Sequence, residues 1–165
     1  MSVMSDFSRR RLLVVLVATL TTAACGGQRR RSTRSDPEPP LYPNETPELR
    51  KLINKYADLY TVPRPLVHRV VIRESTHRPG AINRPYYGLM QILPATARSM
   101  GFSGKPKDLL DAETNLKYAV KYLRGAWLLA DGSYDTAVKW YSRGFYYEAK
   151  RRGMLVETGL VQPKS

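Results

Sequence analysis

From about residue 46 onward, apolar residues recur at every third or fourth position, and this helical spacing is what most constrains the fold. Thr46 and Pro47 open the first segment with residues typical of a helix start. Further helices are predicted near residues 65–75, 94–100, 107–110, 113–130, 134–142 and 146–151. The sequence shows no alternating run of strand length and no internal repeat. It therefore predicts one compact all-α domain over residues 46–153, followed by a C-terminal tail over residues 154–165.

The first 24 residues have the three-part layout of an export signal. Arg9, Arg10 and Arg11 precede an apolar run that is too short to span a bilayer as a mature helix, and small residues follow it. The paired arginines before Leu12 and Leu13 resemble a twin-arginine signal, although basic leader segments also contain adjacent arginines by chance. We expect residues 1–24 to be a signal peptide.

Cys25 is the only cysteine, so no intramolecular disulfide can form. It directly follows Ala23 and Ala24, and in this position it resembles the acylated cysteine of a bacterial lipoprotein. Thr22 stands where such signals usually carry Leu. With Gly26 after the cysteine, lipidation would anchor the chain on the periplasmic side of the outer membrane. Ordinary cleavage after Ala24 would instead leave a soluble periplasmic protein with an unmodified thiol.

Charge and composition restrict the possible partners. Residues 25–45 are polar and proline-rich, and they predict a disordered tether behind the lipidated cysteine. The chain has 27 Lys and Arg against 14 Asp and Glu, a net charge of +13. Such a charge favours nucleic acid, an acidic membrane or an acidic polymer such as the cell wall. Export excludes nucleic acid, so we expect a membrane, reached through the lipid anchor, and the cell wall.

One carboxyl group continues the apolar stripe of the second predicted helix. Val67, Val70, Val71 and Glu74 fall at i, i+3, i+4 and i+7, so they share one helix face. Burial on that face would desolvate the Glu74 carboxyl and raise its pKa, as a general acid working near neutral pH requires. The alternative is that Glu74 pairs with a buried arginine or caps a neighbouring helix. This helix alone does not decide between them.

Further motifs follow this helix in a fixed order. They are Glu74-Ser75, Gly88-Leu89-Met90-Gln91-Ile92, Pro94-Ala95-Thr96-Ala97, Gly101, Asp111, Asn115, Tyr118, Tyr122-Leu123 and Tyr141-Ser142-Arg143-Gly144. In this order and spacing they resemble the soluble-lytic-transglycosylase-like (SLT domain) family over about residues 49–147. The resemblance implies a lysozyme-like helical fold of the goose type. It also implies a lytic transglycosylase of cell wall remodelling, which cleaves the MurNAc-GlcNAc β-1,4 bond of peptidoglycan and leaves 1,6-anhydroMurNAc ends.

The resemblance also implies roles for single residues. Glu74 matches the catalytic acid of the family, and Ser75 matches a residue that supports the acetamido group of the reacting sugar. Gly88, Met90 and Gln91 match a motif that lines the cleft and contacts the sugar beside the scissile bond. These five residues are therefore expected at one site.

Aromatic residues complete the expected site. Tyr141 matches the family's tyrosine near the developing positive charge, but Trp140 and Ser142 flank it where the usual pattern is Ala-Tyr-Asn. The hydrogen bond of that Asn is therefore in question, and Trp140 is a candidate to narrow the cleft. Two tyrosine pairs, Tyr86-Tyr87 and Tyr146-Tyr147, could be packing residues, but tyrosine also suits sugar binding, since it offers an apolar face and a hydroxyl. We expect at least one pair at the cleft, with Tyr87 as the candidate.

The inventory of acids favours a mechanism with one carboxyl group. A conventional glycosidase uses two carboxylates, about 5 Å or about 6.5–9.5 Å apart. The sequence has no Asp or Glu between Glu74 and Asp108. The more distant acids (Asp108, Asp111, Glu113 and Glu148) could still approach Glu74 in space, but none matches a catalytic motif. By the resemblance, Glu74 protonates the bridging oxygen and then takes the proton of that sugar's own 6-hydroxyl. Neither water nor a cofactor is then needed.

Two alternatives remain open from the sequence. One is a muramidase of the same fold, in which water intercepts the intermediate. The other is a non-catalytic wall-binding lipoprotein. No metal site is expected, because His68 and His77 are too few for a catalytic centre and predict surface or loop positions. The protein is expected to act as a monomer.

Overall fold

The computed structural model describes residues 39–162, which are helical apart from one short hairpin. The helices are α1 (Pro47–Leu59), α2 (Arg64–Ser75), α3 (Pro94–Ser99), α4 (Ala112–Leu128), α5 (Tyr134–Arg143) and α6 (Tyr146–Arg151), with a 3-10 helix at Pro106–Leu110. Strands β1 (Ile82–Asn83) and β2 (Tyr86–Tyr87) pair antiparallel. The predicted all-α class is confirmed, and a hairpin of such short strands leaves no alternating pattern to detect.

Helices α1, α4 and α5 each begin at a residue whose side chain caps the helix. The Thr46 hydroxyl accepts a hydrogen bond from the backbone N–H of Leu49 at 3.1 Å. The Asp111 carboxylate accepts one from the N–H of Thr114 at 2.8 Å. Each cap satisfies an N–H that has no partner within its own helix. The starts of α1 and α4 were therefore readable from the sequence.

Helix α4 lies at the centre of the domain, where it contacts α1, α3, α5 and the 3-10 helix. The apolar stripe predicted along it is buried, and it consists of Leu116, Ala119, Leu123, Ala126 and Ala130. Because each of these elements contacts α4, the packing of α4 fixes their positions relative to one another.

Part of the predicted C-terminal tail belongs to the folded domain, because Met154, Leu155 and Leu160 pack against the core. Thr158 is buried, and Arg124 donates a hydrogen bond to the carbonyl of Glu157 at 2.8 Å. Gly125 permits this approach: a Cβ there would lie 2.7 Å from the ring of Phe145 and 2.8 Å from the carbonyl oxygen of Thr158. A glycine within a helix pattern was the sequence signal for this close contact.

The predicted tether is also corrected at its C-terminal end. Glu45 is buried and accepts hydrogen bonds from Arg50, which also donates to the carbonyls of Pro39 and Pro40. Residues 39–45 therefore belong to the folded domain. The predicted signal peptide, Cys25 and the rest of the tether lie outside the described residues. Within residues 39–162, no helix is both long and apolar enough to cross a membrane.

Both histidines are buried, and His68 lies on a helix, which corrects the prediction of a surface or loop position for that residue; His77 lies in a loop, as predicted. His68 lies on α2, and His77 follows the end of that helix with only 1% of its surface exposed. The ring of Tyr42 stacks on His77 with centroids 5.4 Å apart. Burial lowers the pKa of His77, which outweighs the opposite effect of the nearby Glu45 carboxylate.

Candidate active site

Glu74 lies in the last turn of α2, at the point where the helix leaves the core. Val67, Val70 and Val71 are buried as predicted, whereas the side chain of Glu74 keeps 23% exposure. The helix ends one residue later, because Thr76 adopts a left-handed conformation with φ of 52°. Glu74 therefore continues the apolar stripe but reaches solvent.

The environment of Glu74 favours its protonated form. Burial raises the pKa of the Glu74 carboxyl above its usual value, and the neighbouring Arg73 opposes that shift. The Arg73 Nε lies 3.6 Å from the Glu74 Oε1, and the Arg73 side chain is largely exposed. The alternative reading, a Glu74 paired with a buried arginine, is thus excluded, since the neighbouring arginine is at the surface.

Glu74 faces a cleft that is formed by three adjoining cavities of about 310, 520 and 290 Å³. Gln91 lines all three cavities, and Glu74 lines two of them. The other residues that line this cleft include Arg73, Ser75, Arg78, Asn83, Tyr86, Thr96, Tyr122, Tyr141, Ser142 and Arg143. The structure thus brings four predicted site residues together: Glu74, Ser75, Gln91 and Tyr141.

The turn of residues 88–91 is held by the buried amide of Asn115, on α4. Its oxygen accepts the N–H of Met90 at 2.9 Å, and its nitrogen donates to the carbonyls of Tyr87 and Leu109, each at 2.9 Å. Gly88 has φ of 75°, and a Cβ there would lie 2.2 Å from the Asn115 amide nitrogen. Gly88 is therefore needed for the turn, and it supports the cleft instead of lining it.

Gln91 is positioned by the same turn. Its side-chain nitrogen donates to the carbonyls of Ala81 at 3.1 Å and Gly88 at 2.8 Å. Both amide hydrogens are thus bound to backbone, and the amide oxygen remains as an acceptor for a group in the cleft. This arrangement explains why a buried amide is present in an otherwise apolar segment.

Tyr141 is joined to this turn by its hydroxyl group, which donates to the carbonyl of Met90 at 2.8 Å. The ring of Tyr122 packs edge-on against Tyr141 at a centroid distance of 5.6 Å. Burial raises the pKa of Tyr141 well above its usual value, and the negative charge of Glu74 adds to this effect. The phenol is therefore neutral, and Tyr141 lines the same cavity as Glu74.

Two residues that were expected to contact sugar, Met90 and Tyr87, do not line these cavities. The side chain of Met90 is fully buried in the core, so its part in the site is the carbonyl that binds Tyr141. Tyr87 packs against the core, whereas Tyr86 is 40% exposed and lines the cleft. Successive residues of a strand point to opposite faces, so only one tyrosine of this pair can face the cleft.

Ser75 lies at the edge of the cleft beside Glu74 and is itself almost buried. Its hydroxyl donates to the carbonyl of Val71 and accepts the N–H of Arg78, both at 3.3 Å. Ser142 also lines the cleft, and its hydroxyl donates to the carbonyl of Lys139 at 3.1 Å. Trp140 packs against the core, so the expectation that it narrows the cleft is corrected.

Sequence reasoning missed several residues of the cleft. Arg73, Arg78 and Arg143 give it a positive lining, and Asn83 joins them from β1. Arg73 had one available signal, its position beside Glu74. Asn83 had none, because it lies in a segment with no motif and reaches the cleft only through the hairpin.

Glu74 is the only carboxylate among the cleft-lining residues in the described part of the chain. The other acids that the sequence left as candidates are bound elsewhere. Their partners are Lys105 N–H for Asp108, Thr114 N–H for Asp111, Lys55 and Tyr56 for Glu113, and Arg151 and Arg152 for Glu148. A second catalytic carboxylate is thus not supplied by these residues.

A family model described as Transglycosylase SLT domain matches residues 51–152. The chain belongs to this family. The match includes Glu74, the turn of residues 88–91, Asn115 and Tyr141, so it covers the whole cleft. Membership makes the SLT domain of this protein a lysozyme-like enzyme domain that acts on peptidoglycan. No solved structure matches the chain.

Asn115→Ala is expected to destabilise the SLT domain. The change leaves the N–H of Met90 and the carbonyls of Tyr87 and Leu109 buried without their partner. We expect the free energy of unfolding to fall by about 2–4 kcal/mol, measured by urea denaturation. Asn83→Ala is the control, because Asn83 is exposed and should change stability by less than about 0.5 kcal/mol. Equal losses in both variants would contradict this role of Asn115.

Proposed function

We propose that the protein is a lytic transglycosylase that cleaves the MurNAc-GlcNAc β-1,4 bond of peptidoglycan and forms 1,6-anhydroMurNAc ends. The observation that carries this proposal is the isolation of Glu74, a partly desolvated carboxyl in a cleft whose described lining holds no other carboxylate. A two-carboxylate glycosidase needs its second group within about 10 Å. Glu74 must therefore serve as acid and then as base.

In the first step, protonated Glu74 donates its proton to the bridging oxygen of the glycosidic bond. The bond between that oxygen and the anomeric carbon of MurNAc breaks, and its electron pair stays on the oxygen. The N-acetyl carbonyl of MurNAc stabilises the cationic carbon. The raised pKa of Glu74 supports this step, since it keeps the proton available near neutral pH.

Tyr141 supports the same step through its hydroxyl oxygen. Its proton is donated to the carbonyl of Met90, so the remaining lone pairs are available to the developing positive charge. The oxygen is fixed before the reaction, and such preorganised dipoles need no rearrangement in the transition state. Ser75 lies on the Glu74 side of the cleft, where it suits the acetamido group of the reacting sugar.

In the second step, the Glu74 carboxylate accepts the proton of the MurNAc 6-hydroxyl, whose oxygen bonds to the anomeric carbon and closes the anhydro ring. Atoms balance without water, and Glu74 returns to its protonated state. The amide oxygen of Gln91 is available to bind a sugar hydroxyl in this part of the cleft. No cofactor is required for either step.

The positive lining of the cleft suits the substrate. Arg73, Arg78 and Arg143 surround a single carboxylate, so the cleft attracts anionic groups. Peptidoglycan carries such groups on its lactyl ethers and stem peptides. A muramidase of the same fold is the second candidate, and the 23% exposure of the Glu74 side chain favours it, because water reaches the carboxylate.

Glu74→Gln tests the catalytic proposal. The amide keeps the shape of the side chain but has no proton to transfer, so activity on purified peptidoglycan should fall by more than about 10⁴-fold. Stability should hold or rise slightly, because a desolvated carboxyl is replaced by a neutral group. Glu157→Gln is the control, since Glu157 is exposed. Comparable turnover by both variants would remove Glu74 from the mechanism.

Mass spectrometry of the wild-type products separates the two candidate reactions. A lytic transglycosylase yields 1,6-anhydromuropeptides, whereas a muramidase yields reducing ends. Reducing ends alone would leave Glu74 catalytic but make the protein a hydrolase.

Arg73→Gln is expected to move the alkaline limb of the kcat/KM profile to higher pH. The Arg73 charge lowers the pKa of Glu74, so its removal raises that pKa and keeps the acid protonated over a wider range. Arg69→Gln, on the same helix, is the control; it removes the same charge, but Arg69 pairs with Asp135. An alkaline limb at the same pH in both variants would contradict the proposed effect of the Arg73 charge on the pKa of Glu74.

We further propose that the protein is exported and lipid-anchored through Cys25 on the periplasmic side of the outer membrane. The support is the order of basic, apolar and small residues before Cys25. Cys25→Ala should move the protein from the membrane to the soluble periplasmic fraction, as measured by fractionation and immunoblotting. The same distribution for both proteins would favour cleavage without lipidation.

A further inference from the structure

Glu45, His68 and His77 form a buried cluster that contains none of the residues assigned to catalysis, and we call it the Glu-His-His cluster. One ligand atom from each residue lies within 4.8 Å of the others. The Glu45 Oε1 lies 3.5 Å from the His68 Nδ1 and 3.8 Å from the His77 Nε2. Both distances exceed the range of about 2.7–3.2 Å for an N–H···O hydrogen bond.

These separations suit a shared cation better than direct hydrogen bonds. Zinc binds imidazole nitrogen and carboxylate oxygen at about 2.0–2.2 Å, which places tetrahedral ligand atoms about 3.4 Å apart. The two distances from the Glu45 Oε1 are close to that value. Small side-chain rotations would bring all three atoms onto one ion.

The surroundings of Glu45 leave one coordination position. Its Oε2 accepts from Arg50 at 2.5 Å and from the N–H of Tyr42 at 2.9 Å, and its Oε1 accepts from the Arg50 Nε at 3.1 Å. An ionised carboxylate has about four lone-pair sites, so one site remains on the Oε1, the atom that faces both imidazoles. These hydrogen bonds also hold the carboxylate in place, as the outer partners of metal ligands do.

The two imidazoles are arranged as ligands. The His68 Nε2 lies 3.2 Å from the Oδ1 of Asn54, and donation of its N–H there leaves the lone pair on the Nδ1, towards Glu45. The side chain of His77 has no exposed surface, and neither of its ring nitrogens has a hydrogen-bond partner among residues 39–162. A buried polar group without a partner is costly, and an ion bound at the Nε2 would satisfy it.

We propose that Glu45, His68 and His77 bind one divalent transition-metal ion of the zinc class as a structural site. Two imidazoles and a carboxylate suit zinc. The ion would join the segment before α1 to α2 and to the loop that follows Glu74. The nearby charge of Arg50 opposes the cation, so we expect a weaker affinity than that of a site with four anionic and imidazole ligands. This inference is independent of the proposed function.

Zinc binding is testable on the full chain carrying Cys25→Ser, purified without a histidine tag and stripped with EDTA. The chain has only two histidines and one cysteine, so the Cys25→Ser variant has no imidazole or thiol outside the cluster. We expect one zinc per chain after equilibrium dialysis, and a Tm that rises by about 5 °C or more at zinc far above its Kd. Cobalt(II) should give a visible absorption band of a four-coordinate site.

His77→Gln and His68→Gln should each abolish zinc retention and the rise in Tm. Glu48→Gln is the control, because Glu48 is exposed near the same segment and should keep both. The cobalt spectrum needs no histidine variant, so this measurement remains valid even if a histidine variant fails to fold. An unchanged Tm with no retained zinc, or retention that survives both histidine substitutions, would overturn the proposal.

Discussion

The buried amide of Asn115 holds the turn on which the rest of the cleft depends. It binds two backbone groups of the segment 87–90 and one of the 3-10 helix, and the turn then offers the Met90 carbonyl to Tyr141 and places Gln91 between the cavities. Helices α4 and α5 are thereby joined at one point, opposite the end of α2 that carries Glu74. Side-chain placement in the cleft is thus a consequence of how α4 packs.

The position of Glu74 balances two opposed requirements of an acid catalyst. Deeper burial would require a charged partner for the Glu74 carboxyl or would keep it permanently protonated. Full exposure would return its pKa to the ordinary value. The end of α2 meets both, because Thr76 turns the chain away directly after the carboxyl has passed the apolar face of the helix. Arg73 then limits the rise in pKa from the solvent side.

The helices followed from the sequence, because a period near 3.6 identifies the buried face of each helix. The cleft residues Ser75, Gln91 and Tyr141 were expected only from the resemblance of their motifs to the SLT family, whereas Glu74 also lay on a predicted apolar face. The turn of residues 88–91 has no such period. Gly88 and Gln91 have positive φ, so the chain reverses and successive side chains do not alternate in a regular way. For that reason, the motif located the segment but did not predict its side-chain directions. Met90 points into the core, whereas Gln91 points into the cleft. Tyr87 was predicted at the cleft, where Tyr86 lies instead, for a similar reason. Strands of two residues are too short to show in the sequence which side chains share a face.

The segment before α1 was predicted to be disordered because its composition cannot bury enough apolar surface. In the structure its order comes instead from charge: Arg50 binds Glu45 and the carbonyls of Pro39 and Pro40, and these contacts replace an apolar core. Glu45 is thereby held ionised next to two imidazoles from α2 and its following loop. Three separate parts of the chain supply these groups, so no ligand spacing appears in the sequence, and only the fold reveals that they meet.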